Sequence, residues 1–134
     1  REQLETMTEQ LGLANSVIFK GWLSQDKIST LLGESKAIVV PSIWQEPFGL
    51  VVLEALSRNT PAVVAERGGL PEAVGSCGIV VKPGSEQSLA AGMREIVKPK
   101  KYSKITNRIP SHLKKHSLNE VSRKYIAIMN HDDR

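Results

Sequence analysis

Pro41-Ser42-Ile43-Trp44-Gln45-Glu46-Pro47-Phe48-Gly49-Leu50-Val51-Val52-Leu53-Glu54-Ala55 joins an apolar strand to an apolar helix through a loop that carries a carboxylate. The run before it, Ala37-Ile38-Val39-Val40, has the length and β-branched content of a strand buried on both faces, and Pro41 ends its hydrogen-bond ladder. Pro47 and Gly49 punctuate the loop. Gly49 to Arg58 then reads as a helix whose first turn aims free backbone N–H groups back at the carboxyl end of the strand. In open α/β sheets that is where ligands bind. An anionic phosphate fits the amides of Phe48, Gly49 and Leu50, assisted by the helix dipole and by the bare Cα of Gly49.

Between Phe48 and Leu56, Glu54 is the only polar side chain. Its helical neighbours read as core, so burial is expected, and a buried carboxylate needs a hydrogen-bonding partner. A ligand diol is the natural candidate, because a carboxylate accepts two bonds side by side, as the vicinal hydroxyls of a ribose would supply. The alternative is a solvated helix glutamate. Glu46 would face the other end of such a ligand, with an exposed loop acid as its alternative.

Outward from this stretch, residues 1 to 12 read as a helix ending at Gly12, and Val17 to Lys20 as a short strand. Ser24 caps a helix to about Leu32 that Gly33 ends. Strand 62–65, a short helix from Pro71, strand 79–81 and a helix from Ser85 to about Val97 follow. Lys98 to Pro110 shows no clear period, and Ser117-Leu118-Asn119-Glu120 is a capping box for a last helix. Alternating strands and helices with short loops predict an α/β fold: a Rossmann-like parallel sheet with helices on both faces.

Glu46 to Glu54, in the context PS…EPFGLVVLEAL, resembles the E-x7-E motif of the family 4 retaining glycosyltransferases. Val17-Ile18-Phe19-Lys20-Gly21-Trp22 resembles that family's strand and glycine before the base pocket. Pro61 to Ala65 with Gly68-Gly69-Leu70-Pro71-Glu72 resembles its next strand and glycine turn, although Gly68-Gly69 also reads as a plain helix-entry turn. Gly78 to Val81 resembles its last strand. Together these blocks span roughly residues 4 to 97.

The resemblance implies the C-terminal, donor-binding half of a GT-B fold, incomplete here. It implies transfer of a hexosyl group from a nucleoside diphosphate sugar with retention of configuration. Glu46 would be the catalytic-site residue that orients the donor sugar. Phe48, Gly49, Leu50, Glu54, Gly21 and Trp22 would bind the donor, although Trp22 reads equally as core. No metal or other cofactor is implied. Against the family pattern two strands, a basic diphosphate clamp and the acceptor-binding N-terminal domain are missing, so the isolated chain is expected to be inactive. In the strand order 3-2-1-4-5-6 the missing pair would leave a gap between strands 17–20 and 37–40. Unpaired edges invite strand sharing with a second copy or re-pairing within the chain. A non-catalytic nucleotide-sugar-binding module is the alternative function. A glycoside hydrolase using Glu46 and Glu54 as acid and base fits less well, since free amides beside them suit a diphosphate better than a water-bearing cleft.

The 134 residues allow one domain with a core, of ordinary globular composition. They divide into a partial nucleotide-sugar-binding domain, 1–97, and a basic C-terminal extension with a terminal helix, 98–134. No stretch reaches the roughly 20 apolar residues of a membrane span. The N-terminus lacks a signal-peptide pattern, and the single Cys77 excludes an internal disulfide, so a cytoplasmic location is expected.

The net charge of +4 is uneven. Residues 1–97 carry −3 and residues 98–134 carry +7, with seven basic and no acidic residues from Lys98 through Lys115. Such a run suits peripheral contact with anionic lipid, or an acidic partner domain. Nucleic acid is not expected, because only Tyr102 interleaves the basic run. His112 and His116 have the spacing of a helical metal pair, yet without a third ligand they read as a solvated helix face among lysines. His131 lies further on. Phosphate-binding Gly-Lys-Ser/Thr, Gly-x-Gly-x-x-Gly and Gly-x-Ser-x-Gly motifs are absent.

Overall fold

The computed structural model describes residues 1–130. Three parallel strands, β1 (Ile38–Val40), β2 (Ala62–Ala65) and β3 (Gly78–Val81), form a sheet in the order β1-β2-β3. Val39 stands opposite Val63, and Val63 opposite Ile79. Side chains alternate across the sheet, and both faces are covered. Gly92 of helix α5 (Glu86–Ile96) closes on Val63, Ile79 and Val81. On the opposite face Val74 of helix α4 (Leu70–Val74) packs against Gly78, and α4 lies beside helix α3 (Leu50–Ser57). That sandwich explains why β2 reads as an unbroken apolar run: all four of its residues are buried.

The crossover helix α3 ends where its backbone turns left-handed at Asn59, φ 61°. Thr60 N–H returns to Ala55 O and Asn59 N–H to Leu56 O, a Schellman closure with asparagine in the usual glycine position. Thr60 Oγ then donates to Leu32 O at 2.6 Å, tying helix α2 (Gln25–Glu34) to the start of β2. Ser85 caps α5 by accepting from Ser88 N–H, as its position predicts.

Several expectations need correction. Val17–Lys20 is not a strand; no strand among the described residues lies beside it to complete a ladder, and Ile18 is exposed. The expected central gap therefore does not arise, and β1 is simply a sheet edge. Gly33 lies inside α2 rather than ending it; Ser35 is the C-cap and its hydroxyl bonds Leu31 O. Helix α1 (Glu2–Gln10) forms as expected but buries no residue.

The stretch without a clear period is two short helices, α6 (Pro99–Thr106) and α7 (Ile109–Lys115). Pro99 and Pro110 read as breakers in sequence, yet each sits in a first turn where no backbone N–H is needed. Ile105, Ile109 and His112 are their buried residues, and both isoleucines join the core around Leu56, Val63 and Leu70. Helix α8 (Leu118–Met129) has half of the expected capping box: Ser117 accepts from Glu120 N–H, while the Glu120 carboxylate turns to Arg123 instead. Among the described residues no helix is long and apolar enough to cross a membrane.

Candidate functional site

The loop from Pro41 to Gly49 leaves the carboxyl end of β1 and is fastened to the turn that follows β2. Gly69 N–H donates to Glu46 O, and Gly68 N–H to the Gln45 side-chain oxygen, each at 2.8 Å. A Cβ on Gly68 would sit on the Glu46 backbone, and one on Gly69 would lie 2.6 Å from Phe48 Cα. Bare glycines are required for this approach of two backbones, so the pair is more than a helix-entry turn. The adjoining Arg67 keeps its Nε buried without a hydrogen-bond partner among the described residues.

Glu46 is half-buried, and its Oε1 accepts from both Ser42 Oγ and Trp44 Nε1 at 2.9 Å. Two donors on one oxygen hold the carboxylate in a fixed direction. Its other oxygen has no partner among the described residues' hydrogen bonds. Ser42 and Trp44 were not singled out by sequence, although they lie only four and two positions before the acid.

Gly49 is the N-cap of α3 with φ 90°. No backbone carbonyl takes up the N–H groups of Phe48, Gly49, Leu50 or Val51 among the described residues. These amides carry the partial positive charge of the helix start. The loop thus holds Glu46, Phe48, Gly49 and Leu50 side by side beyond the carboxyl end of β1.

Glu54 departs from expectation. It is exposed, because α3 turns Val52, Ala55 and Leu56 into the core and leaves Leu50 and Glu54, one turn apart, on the outer face. The premise of a carboxylate planted among hydrocarbon neighbours is therefore wrong; an apolar sequence around a residue does not bury it when the helix has an uncovered side. Among the described residues the Glu54 carboxylate accepts one hydrogen bond, a long 3.4 Å contact from Gln25 at the start of α2. That contact sets the segment before α2, with Gly21 and Trp22, on the Glu54 side of the molecule. Gly21 is exposed and Trp22 is fully so, which corrects the core reading of that ring.

The histidine pair is also corrected. His112 is buried and bonds Ala73 O at 2.8 Å, and His116 is half-buried, so α7 turns this face inward and its lysines outward. His131 lies outside the described residues. Among the described residues no group of three potential ligands gathers to hold a metal ion.

A concavity of about 160 Å³ opens at the strand termini, lined by Pro41, Ala65, Val81 and neighbours. A larger one, about 350 Å³, runs along α2 from Lys20 to Glu34, and neither is lined by any of the candidate residues. The carboxyl ends of the strands carry the convergent polar groups and define the site on chemistry rather than volume.

A parallel α/β sheet with helices on both faces and a loop-to-helix turn at its strand termini defines a Rossmann-like class of domain. Comparison with known proteins narrows the class: residues 1–111 match the model of the glycosyl transferases group 1 family. The chain belongs to that family. It is 37% identical over 99 residues to the uncharacterized glycosyltransferase MJ1607 of Methanocaldococcus jannaschii, covering 72% of this chain and 25% of that protein. It is 42% identical over 81 residues to the glycogen synthase of Mycobacterium tuberculosis, covering 59% and 19%. The crystal structure of Anabaena Alr3699/HepE in complex with UDP and glucose superposes with a TM-score of 0.80 at 27% identity, covering 98% of this chain and 36% of that one. The fold is that of the GT-B glycosyltransferases. The chain spans about a quarter of the first curated relative.

Proposed function

We propose that this chain is the donor-binding part of a family 4 retaining glycosyltransferase, and that Glu46 and Glu54 are the two acids of its E-x7-E motif. In this reading the diphosphate of a nucleoside diphosphate hexose lies on the amides of Phe48, Gly49 and Leu50. The ribose diol bonds the exposed Glu54 carboxylate, displacing the long bond from Gln25. The base rests against Gly21 and Trp22, and the free oxygen of Glu46 receives a hydroxyl of the donor sugar. The observation that carries this reading is the pinned Glu46–Leu50 loop, with its oriented acid and its unpaired amides side by side.

The chemistry follows from where charge develops. As the glycosidic bond breaks, the leaving diphosphate gains negative charge, and amides already aimed at it lower the barrier without reorganisation. Glu46 orients the sugar and is not assigned as a nucleophile. Transfer itself, with retention, is proposed for a protein that also supplies an acceptor site.

Isothermal titration with UDP, GDP and ADP tests the binding half of the proposal. One of them is expected to bind, and Glu54→Ala is expected to weaken it at least fivefold while leaving the melting temperature nearly unchanged, since the side chain is exposed. Undiminished binding by Glu54→Ala would remove the ribose role, and no binding of any nucleotide would leave only the fold.

A further inference from the structure

The histidine pair of α7, which the proposed chemistry does not use, lies directly beneath the candidate loop. His112 Nε2 lies 2.8 Å from Ala73 O; a carbonyl only accepts, so this nitrogen carries the proton. Gly75, at φ +48°, makes room for the ring: a Cβ there would lie 2.6 Å from His112 Cε1 and 2.9 Å from Nδ1. His112 is thus locked between the end of α4 and its own helix. The His116 ring follows at 4.8 Å between centroids, tilted 58°. Phe48 follows at 5.7 Å from His116, tilted 57°. Both separations fall within the range of tilted aromatic pairs.

The three rings therefore form a continuous stack from the Ala73 carbonyl to the residue before the N-cap of α3. We propose that His116, braced by His112, is a positioning residue for the anion-binding loop: its ring holds the Phe48 side chain and so fixes the direction of the Phe48 and Gly49 N–H groups. The ligand named for that loop rests on the function proposed above; the positioning itself does not. His112 and Lys115 of α7, Glu72 of α4 and Lys124 of α8 are the charged and titratable groups around His116. Burial, reinforced by His112 and the two lysines against the opposing Glu72, holds its pKa below the ordinary imidazole value. The ring that meets Phe48 at neutral pH is therefore the uncharged one.

The test compares the wild-type chain with His116→Ala, His116→Asn and His116→Phe, using amide ¹⁵N order parameters and titration with UDP. Asparagine keeps a polar but shorter side chain at this helix C-cap, and a melting temperature close to wild type shows that the variant keeps the fold. Alanine and asparagine are expected to lower the Phe48 and Gly49 order parameters from roughly 0.85 to below about 0.6, with α5 unchanged, and to weaken UDP binding about fivefold. Phenylalanine, which keeps a ring, is expected to restore both, a rescue that a role in overall stability alone would not produce. Equal order at Phe48 and Gly49 in all four proteins overturns the proposal, as does a phenylalanine variant as loose as alanine. If the wild-type chain binds none of UDP, GDP and ADP, the nucleotide reading fails while the order parameters still decide the positioning role.

Discussion

Replacing Gly68 by alanine puts one methyl group between the turn after β2 and the loop that carries Glu46. The backbone at Gly68 has φ +51°, a left-handed conformation that costs an L-residue roughly 1–2 kcal/mol. The new Cβ would also fall on the Glu46 carbonyl and 2.7 Å from the Glu46 nitrogen. Those are backbone atoms, so relief requires moving the loop, and overpacking of this kind costs about 1–3 kcal/mol. The two effects together destabilise by roughly 2–5 kcal/mol. With an unfolding entropy of about 2.1 cal/mol/K per residue, each kcal/mol lowers the midpoint by about 3.6 °C in a chain of this length, a fall of roughly 7–18 °C in all. Thermal unfolding followed by circular dichroism measures it, and the same sample should bind UDP more weakly than the wild type even well below its midpoint. A midpoint within 2 °C of wild type, about half a kcal/mol, would show that the two backbones are not interlocked and would refute the account of the site.

Other outcomes follow from single contacts. Trp44→Phe removes one of the two donors on Glu46 Oε1; because the indole is largely exposed, the loss should be about 1 kcal/mol, or roughly fivefold in donor affinity by titration, with little change in melting temperature. Thr60→Val keeps the shape but leaves the buried Leu32 carbonyl without the hydroxyl that serves it, and should destabilise by about 1–3 kcal/mol in urea unfolding. The depressed pKa of His116 makes stability depend on pH: below about 6.5 the unfolded chain binds the proton more readily than the folded one, so stability is lost as pH falls through that range. Melting temperatures between pH 7.5 and 5 should decline less in His116→Phe than in wild type.

The sequence by itself determined the architecture around the site. Two strands rich in β-branched residues, of which β2 is buried and the edge strand β1, expected to be buried on both faces, is only half-buried, a proline and glycine punctuating the loop between strand and helix, and Ser85 before its helix are local signals, and local chemistry decides them. The same locality made the order of Glu46, Phe48, Gly49 and Leu50 along one loop legible before any coordinates. Only the tertiary structure decided which sides are covered. Glu54 reads as buried because its sequence neighbours are apolar, but α3 is packed on one side only, and the face shared by Leu50 and Glu54 is left open. Val17–Lys20 has the composition of a strand but no neighbour to pair with among the described residues, and a ladder needs two strands. The donors on Glu46, the glycine interlock with Gly68–Gly69 and the ring stack from His112 to Phe48 all bring together groups by packing. The last two join residues more than twenty positions apart. Periodicity carries no information about such approaches, because they are set by how elements dock rather than by how each one forms.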